Sequence, residues 1–331
     1  MTEPATKRVT SADVARLAGV SRATVSYVLN DTPRQTISAG TRDRVREAAA
    51  QLGYAPSAAA RTLRTGRSDV VLYLLPDWPI GPEVGLALEA LSSALARHGL
   101  TLVVHPGNRE DRPMTELWKA ITPAAVIAYA EFSDAEIAAM RSAGVALVVA
   151  LSRKRGHGRE LAVPQELLGR RQAEHLVRAG HSRLGYAYPD DHRVRFFAEP
   201  RLAGVRAACA ARRLPTPVGL TVPLDPAAAA DAVRRWRATG VTAVCAYNDE
   251  VALAVLAGVR LVGLSAPDDL AVIGVDDIPP ARLAEPALTT VATDQSVLGA
   301  HLAATVVAAM SGRVAPTLPT GVVRVVTRAS A

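Results

Sequence analysis

The chain has 331 residues, of which 49% are hydrophobic and 21% are charged. At roughly 150 residues per domain this length corresponds to about two domains, and the composition excludes a disordered chain. The longest apolar run, 143–151, is far shorter than the ~20 residues of a membrane-spanning helix. No secretory signal is visible, and two cysteines are too few for a disulfide framework. We therefore expect a cytoplasmic protein without membrane contact.

The charge is concentrated near the start. Residues 1–67 contain 11 Lys and Arg against five Asp and Glu, whereas the rest of the chain contains 27 against 26. No long apolar face accompanies the basic segment. This pattern is typical of a protein that binds nucleic acid rather than a membrane.

The first predicted element is a short helix. Thr10 and Asp13 stand three residues apart, as in a capping box. Val14 and Leu17 then supply its apolar positions, and the helix is expected to end near Ala18.

Two more helices are predicted after a turn at Gly19-Val20. Ser21 can cap the second, over Arg22 to Asn30, and either Ser38 or Thr41 can cap the third. The segment 31–35 between them reads as a polar loop. The apolar positions of the third helix follow the spacing i, i+3, i+4, i+7: Val45, Ala48, Ala49 and Leu52.

The second helix has the pattern of a DNA-recognition helix. At ~100° per residue its three aliphatic side chains share one face, which leaves Arg22, Tyr27 and Asn30 on the other. The Arg22 guanidinium can bond guanine O6 and N7. A plain solvated helix is the alternative. Hydroxyls at the three predicted helix starts are placed to reach phosphates: Thr10, Ser21 and Ser38.

The segment Gly53–Arg67 is a transition zone. Ser57 can open a short helix over 57–64, which is too short to be stable alone and therefore needs a partner.

The remainder alternates apolar runs with Ala-rich amphipathic stretches, which predicts parallel doubly wound sheets in more than one lobe. The predicted strands are 70–75, 100–104, 124–128, 145–150, 184–187, 243–246 and 270–275. The predicted helices are 83–97, 116–121, 134–142, 165–179, 201–213, 227–239 and 250–262.

Residues 9–30, VTSADVARLAGVSRATVSYVLN, closely resemble the signature of the lactose/galactose-repressor (LacI/GalR) family of bacterial transcription regulators. The similarity continues through 38–45 and 52–56. It implies that Arg22, Ala23 and Tyr27 read bases. It also implies a hinge helix over 58–63 that folds on the operator, whose DNA contacts are Ala59, Ala60 and Leu63.

Leu63 would be the apolar wedge in the minor groove, which gains energy only if the kinked duplex makes further contacts. An ordinary linker leucine is the alternative. The family often has a long basic residue where Tyr27 stands, so the base preference at that position is open.

The resemblance extends more loosely over the body. It implies an N-terminal all-α helix-turn-helix domain followed by an α/β periplasmic-binding-protein-like body with two doubly wound parallel-sheet lobes. The expected domains are 1–53 for DNA binding, 54–67 for the hinge, and 68–331 for effector binding and dimerisation. Within the last, the N-lobe is expected over about 68–162 and 292–320, and the C-lobe over about 163–291 and 321–331.

Candidate ligand residues follow predicted strands or open helices. Asn248 and Asp276 follow apolar runs and Arg201 is expected to open a helix, so all three would converge on the cleft between lobes. The resemblance assigns the same three as ligand contacts. Asp249 and Asp277 are better explained as helix N-caps.

Two further residues are candidates for the cleft. Trp78 follows the first body strand and would line the cleft or pack the lobes together. Leu224 stands where the family often has an aromatic that stacks on the effector, and Pro164-Gln165 stand where it commonly has Asp-Asn. These departures predict a non-sugar effector, an unusually modified one, or none.

No catalytic motif is apparent, and no metal or cofactor is expected. We therefore predict a sequence-specific DNA-binding transcriptional regulator, and we expect it to be a repressor. It would act as a homodimer on a near-palindromic operator of double-stranded DNA, under control of a small-molecule effector. A cytoplasmic ligand-binding protein of the solute-binding type, without operator specificity, is the alternative, and an enzyme has little support.

Overall fold

The computed structural model separates into two compact units, Met1–Asp69 and Val70–Ala331. Among the helices that it describes, none is long and apolar enough to cross a membrane. The predicted loop 31–35 and most of the predicted hinge, with Ala59, Ala60 and Leu63, lie outside the described residues. The described residues are 9–30, 36–54, 68–106, 117–118, 121–128, 132–150 and 165–331.

The first unit contains α1 (Ser11–Ala18), α2 (Arg22–Leu29) and α3 (Ala39–Gln51). Its core is formed by the apolar faces of all three helices, with Val14, Val25, Val28 and Val45 buried. The apolar patterns predicted for α2 and α3 are thus confirmed. Leu17 was expected to share the core but is 52% exposed. On a 100° helix the buried pair Ala15 and Ala18 centres the apolar stripe away from Leu17.

The helix starts are capped as the sequence predicts. The Asp13 carboxylate accepts from the Thr10 N–H at 3.0 Å and from the Thr10 hydroxyl at 2.7 Å. Ser21 Oγ accepts from the Thr24 N–H at 3.1 Å. At α3 the cap is Ser38, whose Oγ accepts from the Thr41 N–H at 3.3 Å. Each cap satisfies a backbone donor that the helix leaves open.

The second unit contains two sheets. The four-stranded sheet is entirely parallel, in the order β2-β1-β3-β4, and the six-stranded sheet has the order β10-β9-β8-β7-β5-β6, with β10 antiparallel to β9. The strands of the first are β1 (Val70–Leu75), β2 (Thr101–Pro106), β3 (Ala125–Ala128) and β4 (Leu147–Ala150). Those of the second are β5 (Leu184–Pro189), β6 (Val218–Val222), β7 (Ala243–Ala246), β8 (Ala271–Val275), β9 (Thr289–Thr293) and β10 (Val323–Val326).

Helices cover both sheets and define two lobes. The first lobe is the four-stranded sheet with α4 (Pro82–Ala96), α5 (Asp134–Ser142) and α10 (Gln295–Met310). The second lobe is the six-stranded sheet with α6 (Gln165–Arg178), α7 (Arg195–Ala211), α8 (Pro226–Ala238) and α9 (Asp249–Leu261). The helix α10 follows β9 of the second sheet yet packs on α4 of the first lobe. The chain therefore crosses from the second lobe to the first before α10 and crosses back after it to form β10.

Several elements differ from the sequence prediction. The strands β6, β9 and β10 and the helix α10 were not predicted. Of the predicted helix 116–121, Leu117, Trp118 and Ile121 are helical, and the rest lies outside the described residues. The placement of Arg201 at a helix start is wrong, because α7 begins at Arg195 and carries Pro200 inside it.

Candidate functional site

The outward face of α2 presents the predicted base-reading residues. Arg22, Ala23 and Tyr27 are exposed, while Val25 and Val28 on the opposite face are each only 1% exposed. No hydrogen bond or ion pair joins the Arg22 guanidinium to any described residue. This face is therefore available to a groove of duplex DNA.

The polar residues around α2 differ in availability. Thr10, Ser21 and Ser38 are exposed at helix starts, where hydroxyls and open N–H groups suit phosphate oxygens. Asn30 is instead engaged with its own helix. Its Nδ2 donates to the Ser26 carbonyl at 2.7 Å, so Asn30 caps α2 and is poorly placed to read a base.

A cavity of about 760 Å³ lies between the two lobes of the body. Ligand pockets are typically ~300–1,000 Å³. All five residues predicted to bind a ligand line it: Trp78, Arg201, Leu224, Asn248 and Asp276.

Arg201 is held from three sides. Its Nε donates to Gln165 Oε1 at 2.8 Å, and its Nη1 donates to the Tyr247 carbonyl at 2.5 Å. Its Nη2 lies 3.8 Å from Asp276 Oδ1, and its Cζ lies 4.7 Å from the centre of the Tyr247 ring. The Arg201 side chain is 92% buried, and these contacts fix its guanidinium before any ligand arrives.

Asp276 reaches the cavity through a strained turn. Its φ is 113° and that of Asp277 is 56°, both in a region that costs a non-glycine residue free energy. Burial raises the pKa of the Asp276 carboxyl to about 6, and the Arg201 charge opposes that rise. Such strain persists only where neighbouring contacts impose it.

Asp249 contacts the backbone directly after this turn. This residue was expected to be an N-cap, but it is fully buried and its carboxylate accepts from the Thr290 hydroxyl at 2.6 Å and the Ile278 N–H at 2.9 Å. Burial raises its pKa to about 7. The expectation of a cap at Asp277 is also wrong, since its carboxylate pairs with the Arg328 guanidinium at 2.5 Å. Together these contacts clamp the turn at Asp277 and Ile278.

The N-cap of α9 is Asn248, whose Oδ1 accepts from the Val251 N–H at 3.0 Å. No hydrogen bond joins its side-chain nitrogen Nδ2 to any described residue, and Asn248 lines the cavity. Asn248 thus combines a structural role with a free donor.

Trp78 both lines the cavity and joins the lobes. It follows β1 of the first lobe, and its ring centre lies 5.4 Å from that of Phe196 and 4.8 Å from that of Phe197, at the start of α7. Beside this stack Arg193 Nη1 lies 3.2 Å from Asp77 Oδ1. These contacts cross from one lobe to the other.

Sequence reasoning missed Glu83 and Gln295. Both line the cavity from the first lobe, and Gln295 Nε2 donates to Glu83 Oε1. Burial raises the pKa of Glu83 to about 8, with the nearby Asp276 charge adding to the rise. The two residues stand 212 positions apart, so no local pattern links them.

Comparison with known proteins fits this architecture. Residues 10–57 match the family described as bacterial regulatory proteins, lacI family, and residues 173–331 match the periplasmic binding protein-like domain. The HTH-type transcriptional regulator GalS of Salmonella typhimurium is 31% identical over 292 residues, which cover 86% of this chain and 84% of that protein. The chain belongs to the LacI family. This LacI-family regulator therefore has relatives that are transcription regulators rather than enzymes.

Solved structures resemble the regulator over nearly its whole length. A transcriptional regulator CelR–cellobiose complex is 27% identical with a TM-score of 0.64, covering 98% of this chain and 100% of that one. The lac repressor dimer bound to operator and the anti-inducer ONPF has a TM-score of 0.72 at 24% identity, covering 98% and 99%. The helix-turn-helix module and the two-lobed body thus follow the LacI-family fold, which confirms the predicted fold class.

Proposed function

We propose that this regulator binds a near-palindromic operator as a homodimer, with α2 of each protomer in the major groove. The observation that carries the proposal is the outward face of α2, where Arg22, Ala23 and Tyr27 are exposed on a helix held from behind by buried valines. Arg22 would bond a guanine, and Ala23 would contact a thymine methyl. Thr10, Ser21 and Ser38 would hold phosphates and set the register. The hinge contacts of Ala59, Ala60 and Leu63 stay a prediction.

We further propose that a small molecule binds in the cavity between the lobes and modulates operator affinity. The cavity has the volume of a ligand pocket, and the similar CelR is known in complex with cellobiose. Arg201, Asn248 and Asp276 would bond the polar part of the effector. A ligand can shift the lobes only if it binds one arrangement better than another. The Trp78 stack, which crosses the lobes, would respond to such a shift.

The decisive experiment measures DNA binding by fluorescence anisotropy. Duplexes tiled across the region upstream of the protein's own gene are compared with scrambled duplexes, at two salt concentrations. Arg22→Ala should weaken binding to the preferred duplex by about 5- to 150-fold, equivalent to roughly 1–3 kcal/mol, and should relax base preference. Binding to scrambled DNA should change far less.

Arg313→Ala serves as the matched control, since Arg313 is an exposed arginine of the body, and it should bind like the parent. If the Arg22→Ala variant bound the preferred duplex with the same affinity as the parent, the assignment of α2 as the recognition helix would be contradicted. A parent protein that prefers no duplex would instead favour the solute-binding alternative.

A further inference from the structure

The first lobe presents an apolar wall to the cavity. The wall is built from the facing sides of α4 and α10, and its aliphatic side chains are Val84, Ala87, Leu88, Leu91, Leu298 and Leu302. Leu91, Leu298 and Leu302 are at most 9% exposed. A ligand that fills the cavity must lie against this surface.

The polar side chains that α4 and α10 add to this wall are Glu83 and Gln295. Gln295 Nε2 donates to Glu83 Oε1, which takes up one group of each within the wall, while Gln295 Oε1 has no hydrogen-bond partner among the described residues. Burial also raises the pKa of Glu83 to about 8, so this carboxyl is mostly uncharged at pH 7. Apart from this pair, the sides of α4 and α10 that face the cavity are apolar.

Two exposed aliphatic side chains also line the cavity. Ile80 and Leu224, one from each lobe, line it while being 63% and 67% exposed. Arg193, which lies in the same lining, is already paired with Asp191 at 2.6 Å and Asp77 at 3.2 Å. Asp190 and His192 add further polar residues from the second lobe.

Polar groups that can serve a ligand gather on the second lobe. Arg201 and Asp276 lie together there, and Asn248 adds a free amide nitrogen. The cavity is thus polar at one end and apolar along the opposite wall.

We infer that the effector is an amphipathic molecule, with an aromatic or aliphatic body against α4 and α10 and a small hydroxyl-bearing end at Arg201 and Asp276. This inference rests on the proposed function of the cavity. A simple sugar carries hydroxyls around its whole ring, and those turned to the aliphatic side chains of α4 and α10 would lose water without gaining partners. Each such hydroxyl would weaken binding by roughly tenfold or more.

The test uses the full-length protein and the neutral fluorescent probe N-phenyl-1-naphthylamine, whose emission rises in apolar surroundings. We expect saturable binding at micromolar concentration. We also expect displacement of the probe by 2-naphthol, which has an apolar body and one hydroxyl, and no displacement by millimolar cellobiose.

Two variants test whether the probe binds in this cavity. Leu88→Asn introduces an amide into the wall. Ile80→Asn introduces one at an exposed position of the cavity lining, where folding tolerates it. Each variant should weaken probe binding at least tenfold. Leu86→Asn is the matched control, because Leu86 lies on α4, is 50% exposed and is absent from the cavity lining. Its affinity for the probe should match that of the parent.

Displacement by cellobiose would overturn the inference, as would absence of probe binding or equal affinity in all variants. Anisotropy with the preferred duplex is run on the same samples. Normal operator binding without probe binding would contradict only the inferred class of ligand. Probe binding without operator binding would contradict the proposal that the protein is a DNA-binding regulator.

Discussion

The position of Arg201 depends on a close contact between two helices that glycine alone permits. The backbone of α7 meets that of α6 at Gly204 and Gly169. A Cβ at Gly204 would lie 1.9 Å from the Glu166 carbonyl oxygen, and one at Gly169 would lie 1.8 Å from the Arg201 carbonyl oxygen. Ordinary contact begins at 3.4 Å, so either methyl group would overlap backbone by about 1.5 Å.

Gly204→Ala should therefore force α6 and α7 apart, because backbone atoms cannot rotate away as a side chain can. Overpacking of this kind costs roughly 1–3 kcal/mol and sometimes more, and we expect a loss of about 3 kcal/mol in the free energy of unfolding. Arg201 would move with α7, away from Gln165 on α6, so ligand affinity in the cavity should fall as well.

Urea unfolding of the body, followed by tryptophan fluorescence and circular dichroism, measures the effect. Gly85→Ala is the control, since a Cβ there meets nothing within 4 Å and should be neutral or stabilising by up to about 1 kcal/mol. Equal unfolding free energies for the two variants would refute the argument that this helix contact is limiting.

Two further predictions concern the turn that presents Asp276. The pKa of Asp249 is about 7 when folded against an ordinary 3.8, so the free energy of unfolding falls by about 3 kcal/mol as pH rises from 4 to 7. Asp249→Asn should flatten that fall in urea titrations across this range, and a slope equal to the parent's would count against it. Arg328→Ala should lower the free energy of unfolding by roughly 3–5 kcal/mol, because it leaves the largely buried Asp277 carboxylate without its partner. The control is Arg234→Ala, which breaks an exposed pair with Asp231 and should lower the free energy of unfolding by at most about 1 kcal/mol. Similar losses in the Arg328→Ala and Arg234→Ala variants would contradict the role assigned to the Arg328–Asp277 pair.

The sequence predicted those features that depend on near neighbours. Capping at Thr10, Ser21 and Ser38 involves residues three positions apart, and the buried face of α2 follows from the helical period alone. The same holds for the apolar strands of the body. Local prediction failed where an element is apolar on all sides, as α10 is between α4 and the rest of its lobe, or short and rich in threonine, as β9 is.

Tertiary structure decided the site. The pairing of Glu83 with Gln295, the clamp of Asp249 on the Asp276 turn and the helix contact that sets Arg201 each join segments distant in the chain. Their partners are selected by packing, and burial then shifts the carboxyl pKa values. Sequence alone could name Arg201, Asn248 and Asp276 as candidates, because strand ends and family resemblance are visible in it. That the facing wall is apolar emerges only when α4 and α10, some 200 positions apart, pack side by side.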